Sequence, residues 1–269
     1  MKRVFNISLF VLALLLVAAL FMVNSLTDLR TKDLKGGISP TQLAEGKKLL
    51  EEMQEAYGGK EYWLAKGKGS YEQIAEWYGN TLVAGWDTIP QHFNMTSTLG
   101  TDNCFMTLLN GPTRGEIWGV EEDKTYSLQA YEEKKFVQNK QAHHKLIYKN
   151  YWFQFPFRID EAPIIAYAGE GTVEGKIYDL LFVTWKTEAP NADYDQCILY
   201  IDKETRHIEW LHFTVREIFT FISFTAHFTD IKEVEGILHP FSMYVSIGQP
   251  DKKIAKLHEN HYQRIWYNH

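Results

Sequence analysis

The sequence predicts an α+β domain: a curved antiparallel β-sheet with helices on one side, preceded by an N-terminal apolar helix. Three observations carry this reading. A capped helical pattern lies near the start, period-two runs separated by turn residues fill most of the chain, and a second helical pattern interrupts them midway. Strands joined by such short turns pair antiparallel, because parallel neighbours need a long crossover. Runs of strands set apart from a few helices indicate α+β organisation.

Met1, Lys2 and Arg3 precede an apolar stretch from Val4 to Val23, unbroken from Leu9 onward. A basic start followed by an apolar run is an export pattern. The run also approaches the length of a membrane-spanning helix. Residues 1–25 therefore read as a signal peptide cut after Ser25, or as an uncleaved transmembrane anchor. No cysteine follows the run to accept a lipid. Residues 26–38 are polar and glycine-bearing and read as a linker. Residues 39–269 form one domain, long enough to bury a core without disulfides.

The first helix opens at Ser39-Pro40-Thr41-Gln42, where Ser39 caps, Pro40 suits the first helical position and Gln42 completes a capping box. Leu43, Gly46, Leu50, Met53 and Tyr57 fall on one stripe, and Gly58-Gly59 stops the helix. A further turn spans Glu61 to Leu64. Strands are predicted over Tyr71–Tyr78, His92–Leu99, Cys104–Leu109, Glu116–Val120 and Thr125–Leu128, with turns at Gly100-Thr101-Asp102 and Asn110-Gly111-Pro112. A helix from about Glu132 to Tyr151 follows. It should end in Phe153-Gln154-Phe155-Pro156-Phe157, because the residue before proline avoids helix. Strands resume over Gly175–Thr187, Asp193–Ile201, His207–Arg216, Phe219–Phe228 and Gly236–Ile247. In the tail, Ile265-Trp266-Tyr267 are placed to close the last edge of the sheet.

A formal net charge of -6 argues against nucleic acid as a partner. The two cysteines, Cys104 and Cys197, could form one bridge in an oxidising compartment or lie buried as small apolar residues. His258, His261 and His269 crowd the tail, but a zinc site needs three or four convergent ligands. His143 and His144 point in different directions on a helix, and His207 and His212 fall on opposite strand faces. No metal site, cofactor site, nucleophile elbow or phosphate loop is read from the sequence. Glu121-Glu122 and Glu132-Glu133 read as solvated turns. Asp193 and Asp195 share a strand face without further ligands.

Four segments carry a family likeness: Ala56-Tyr57-Gly58-Gly59, Tyr151 to Phe157, Tyr200 to Glu209 with its Asp-x-x-Thr corner, and Ile231 to Pro240 with Val-x-Gly-Ile leading to His-Pro. In order and spacing they resemble lipoprotein-carrier proteins of the LolA/LolB type, closest to uncharacterised LolA-like proteins of Bacteroidota, over about residues 40–247. The resemblance implies a half-open barrel: a strongly curved antiparallel sheet wrapping helices on its concave face. It also implies a periplasmic location, either exported and soluble or tethered to the inner membrane by the N-terminal helix. The cavity of that family takes the acyl chains of lipoproteins.

Aromatic residues make up 14% of the chain, more than a sheet with few helices buries easily unless its hollow is deep. Trp152, Phe155 and Phe157 are the expected lining of an apolar cavity. Arg158, at its rim, could pair with a carboxylate or head group, or with Asp160. Two functions fit. One is a non-catalytic binding protein for a lipid, acyl chain, acylated protein or other apolar ligand. The other is an envelope assembly protein that meets membrane envelope proteins through an exposed apolar patch.

Overall fold

The computed structural model describes residues 25–78, 90–128 and 133–268. The predicted N-terminal apolar helix and the cleavage question lie outside those residues. Among them, no helix is long and apolar enough to cross a membrane.

Among the described residues there are three α-helices: α1 (Pro40–Ala56), α2 (Lys60–Ala65) and α3 (Lys140–Arg158). The first meander of strands is β1 (Lys68–Trp77), β2 (Gln91–Thr98), β3 (Cys104–Leu108), β4 (Ile117–Glu121), β5 (Lys124–Leu128) and β6 (Lys135–Phe136). The second is β7 (Ile164–Val173), β8 (Lys176–Thr184), β9 (Gln196–Asp202), β10 (Ile208–Val215), β11 (Phe219–Val234), β12 (Ile237–Gln249) and β13 (Lys252–Asn268). They form one 13-stranded sheet in the order β6-β5-β4-β3-β2-β1-β13-β12-β11-β10-β9-β8-β7. All pairings are antiparallel, and the sheet is open between its edges β6 and β7.

The tail does not close an edge. β13 lies at the centre and joins the two meanders by pairing with β1 on one side and β12 on the other. Register shifts between Glu72 and Gln73, Val245 and Ser246, and Ile247 and Gly248 mark bulges in these central strands. Bulges bend and twist a sheet locally, which fits strands as long as β11 and β13 to a curved surface.

α1 begins as the sequence implies. Ser39 Oγ accepts from the Gln42 N–H at 3.2 Å, and Gln42 Oε1 accepts from the Ser39 N–H at 2.9 Å. At its end Gly58 adopts φ +115°, a left-handed conformation that side chains disfavour. β7 is absent from the sequence expectation. Gly169, at φ +85°, sits in a bulge between Tyr167 and Glu170 and breaks the alternation there. The Asp-x-x-Thr corner is a real turn: Asp202 Oδ1 accepts from the Thr205 N–H at 2.6 Å and the Glu204 N–H at 2.9 Å.

Both faces of the β7–β10 region are covered. The inner face joins the main core with Leu181, Val183, Leu199 and Leu211. The outer face holds Leu180, Phe182, Ile198 and Trp210 beneath Leu29 and Leu34. The segment read as a linker thus packs along the sheet. Its Leu29 N–H donates to Gln196 Oε1 at 3.0 Å, and Thr31 Oγ1 donates to the Ala168 carbonyl at 3.0 Å. A strand covered on both sides reads as a continuous apolar run, and Leu180-Leu181-Phe182-Val183 is one.

Candidate functional site

α3 lies in the hollow of the sheet. It starts later than the sequence suggests: Asn139 caps it by accepting from the Ala142 N–H at 3.0 Å, while Phe136 belongs to β6. It also runs past the expected stop, through Pro156 to Arg158. A proline inside a helix costs roughly 3 kcal/mol, so other contacts must offset it. Phe153, Phe155 and Phe157 are all buried around it. Gln54 Nε2 of α1 donates to the Pro156 and Phe157 carbonyls at 3.3 Å, which satisfies exposed acceptors of the last turn.

The rings of this end point in different directions. Phe157 stacks on Trp63 at 4.7 Å and meets Tyr57 edge-on at 6.5 Å. Phe153 stacks on His239 at 5.3 Å. Trp152 meets Phe213 at 5.5 Å and Phe228 at 5.9 Å. The structure therefore brings Trp152, Phe155 and Phe157 to one cleft, together with Pro156, but the space left there is only about 20 Å³. That admits about one water-sized probe.

Arg158 is not at a free rim. Its side chain is buried, with Nε 2.6 Å from Glu161 Oε1, Nη2 2.9 Å from Glu161 Oε2 and Nη1 2.8 Å from Asp102 Oδ1. Asp160 pairs instead with Lys60. Burial opposes the Arg158 charge, but these two carboxylates outweigh it and raise its pKa. Arg158 Nη1 also donates to the Thr101 carbonyl at 3.1 Å, as do Gln154 Nε2 at 3.1 Å and Asn150 Nδ2 at 2.9 Å. Asn150, Gln154 and Arg158 recur every four residues, one face of a helix. They bind the β2–β3 turn to α3. That spacing is visible in the sequence, whereas the sharing of one carbonyl is not.

The larger space is at the other end of α3. A cavity of about 280 Å³ lies between the first turns of α3 and β2–β4. Met106, Leu108, Trp118 and Leu146 supply its apolar wall, and Gln91, Glu116, Asn139 and Lys145 its polar one. None of these residues was marked as a lining residue by the sequence, because they are spread over β2, β3, the start of β4 and the start of α3. The size is just below the usual range for ligand pockets, roughly 300–1,000 Å³.

One turn deeper along α3 is Lys149, 5% exposed. Its Nζ donates to Asn260 Oδ1 at 2.7 Å and to Gln73 Oε1 at 3.3 Å, and lies 5.5 Å from the Phe93 ring centroid. Burial lowers its pKa to about 7. Beside Asn260, His258 is buried and stacked on Trp77 at 4.2 Å, and burial lowers its pKa to about 3.

Other candidate groups are engaged elsewhere. His143 bonds Thr125 at 2.9 Å and His144 pairs with Glu217, on opposite sides of α3. His258 and His261 lie on a strand, not a helix, and so face opposite ways. Among the described residues no three potential metal ligands converge. Cys104 and Cys197 are buried free thiols, and burial raises the pKa of both.

No protein-family model matches this sequence, and no curated protein matches it. Solved structures do resemble it. A LolA superfamily protein from Nitrosomonas europaea aligns with a TM-score of 0.55 at 9% identity, covering 83% of this chain and 94% of that one. A DUF1329 family protein from Desulfovibrio piger aligns at 0.54 and 12% identity, covering 84% and 93%. A domain named for outer membrane lipoprotein sorting, from Vibrio parahaemolyticus, aligns at 0.51 and 10% identity, covering 84% and 93%. At these identities the likeness is one of architecture, and the chain has the fold of the LolA superfamily.

Proposed function

We propose that this chain is an extracytoplasmic, non-catalytic binding protein that holds a lipid, an acylated protein or another apolar ligand between α3 and the sheet. The cavity of about 280 Å³ beside α3 is the observation that carries this reading. Its lining is mixed, with Met106, Leu108, Trp118 and Leu146 to meet an apolar chain and Gln91, Glu116, Asn139 and Lys145 to meet polar atoms. The fold, and the lipoprotein-sorting name of one structural neighbour, support the same class of ligand. Trp152, Phe155 and Phe157 form the closed end of the hollow in this reading, and a ligand would have to part their rings to pass further. Residues 1–25 serve as the export signal or anchor that takes the domain across the membrane.

Native mass spectrometry of the full chain, purified without detergent, tests this. Copurified lipid, or lipid acquired from vesicles, is the expected result. A clean apo mass that stays unchanged after incubation with vesicles overturns it.

One observation favours a second reading, assembly through protein contacts. Leu26, Ile218 and Phe219 are 40%, 58% and 37% exposed. They are neighbours, since the Thr27 N–H donates to the Thr220 carbonyl at 2.9 Å. An exposed apolar patch of this kind marks an interaction surface. Cross-linking in intact envelopes through a cysteine placed at Ile218 separates the two readings: it captures a protein under the second and none under the first.

A further inference from the structure

A lysine buried this deeply is rarely left without a counter-charge. Lys149 has two neutral amide oxygens as partners, from Asn260 and Gln73, and among the described residues it takes part in no ion pair. An ammonium carries three N–H donors, so one remains beyond those two bonds. A second unmet donor is close by. The Trp77 indole N–H is buried with no acceptor, and that ring stacks on His258, which neighbours Asn260 on the same strand face. Two unanswered donors, one of them cationic, surrounded by neutral groups, describe a place for an anion.

The niche adjoins the larger cavity. Leu146 and Lys145 line that cavity and precede Lys149 by three and four residues on α3, one helical turn. Across the sheet, Gln91 lines the cavity and pairs in register with Ala75, which pairs with Asn260. The cavity floor and the lysine niche therefore share one helix face and one row of the sheet.

We propose that Lys149, with Asn260, Gln73 and Trp77, seats the anionic head of the ligand, a carboxylate or phosphate monoester on an alkyl chain. The ligand then lies head-inward, its chain running back past Leu146 toward Trp118. This assignment rests on the binding-protein reading and narrows it. It also moves head-group recognition away from Arg158, whose guanidinium is already taken by Asp102 and Glu161. The physical reason is mutual. The anion supplies the counter-charge that the buried ammonium lacks, and charge-assisted bonds away from water are stronger than neutral ones.

The test compares three probes of equal chain length on the delipidated full chain by calorimetry at pH 7: palmitate, hexadecyl phosphate and hexadecanol. The wild-type protein is expected to bind at least one of the two anions about tenfold or more tightly than hexadecanol. Which anion is preferred identifies the head group. In Lys149→Met that preference falls to within about threefold of unity. Equal binding of all three probes by the wild type, or a preference that survives in Lys149→Met, overturns the head-group assignment and leaves the binding-protein reading standing. Failure of all three to bind overturns both. Should Lys149→Met not fold, NMR of the wild type with ¹³Cε-labelled lysine replaces it. The Lys149 titration then shifts upward with the preferred anion and not with hexadecanol; an unmoved titration overturns the assignment.

Discussion

Lys149 Nζ lies 2.7 Å from Asn260 Oδ1, a bond between a helix and the central strand of the sheet that wraps it. The bond satisfies a donor but does not neutralise a charge. Folding therefore has to bury a cation among amides and aromatic rings, and burial alone brings the Lys149 pKa down from 10.5 to about 7.

This gives a pH dependence with a definite sign. Between about pH 7 and 10.5 the unfolded chain holds the Lys149 proton and the folded chain does not. Stability from this group consequently rises with pH across that window, and the full penalty applies below it. Lys149→Met removes the penalty. The variant should be more stable than wild type by on the order of a few kcal/mol at pH 6, with the difference closing by about pH 10.5. Urea unfolding at several pH values measures this. A difference that stays constant with pH contradicts it.

Gly46 should reverse the usual rule for helices. Ala is normally better than Gly inside a helix by about 1 kcal/mol. At Gly46, however, a Cβ would lie 2.6 Å from Ala166 Cα and 2.7 Å from the Tyr167 nitrogen. Those are backbone atoms of β7 and cannot swing aside. Gly46→Ala is expected to destabilise by about 1–3 kcal/mol, the range for overpacking. A higher melting temperature in the variant would show that α1 can shift away from β7.

Arg158 is predicted to hold the β2–β3 turn. Arg158→Leu removes donors from Thr101, Asp102 and Glu161 together. The two carboxylates are about 40% exposed and can rehydrate, so a loss of roughly 1–3 kcal/mol is expected. Arg158→Lys should recover little of it, because an ammonium cannot reproduce the fork that meets both Glu161 oxygens. Hydrogen exchange at residues 100–103 reads the effect directly: faster exchange in both variants is expected, and unchanged protection would refute the role.

Ala142 offers a way to close the larger cavity without touching the core rings. It lines that cavity from the first turns of α3 and is only partly buried. Ala142→Trp should fill much of the space and lower bound lipid about fivefold or more, with melting temperature nearly unchanged. Lipid extracted per mole of protein is the measurement. Full lipid occupancy in the variant would place the ligand elsewhere.

Some features were legible in the sequence because they are properties of one segment. The Ser39–Gln42 capping box acts within four residues, and its reciprocal bonds are present. The hairpin β4–β5 and the Asp202 corner are local in the same way. Alternation along β2 reports which residues face inward whatever lies opposite them, and Gln91, Phe93, Met95 and Ser97 are the buried set. An α+β chain with an antiparallel sheet follows from such signals.

What required the tertiary structure was every feature that depends on two distant segments meeting. α3 continues through Pro156 because three buried rings and Gln54 of another helix compensate for the break. Of β13, only Ile265-Trp266-Tyr267 was read as strand, and at an edge; the length of β13 and its place at the centre rest on pairing with β1 and β12, distant partners that period alone does not name. Trp152, Phe155 and Phe157 were expected to line an apolar cavity, whereas the space left among them, about 20 Å³, is set by rings from distant strands and helices. Lys149 is the sharpest case. A lysine on a helix reads as solvated, and only a sheet curved around that helix puts it out of reach of water. Periodicity in a sequence describes the faces of one element; burial and charge compensation are set by what packs against them.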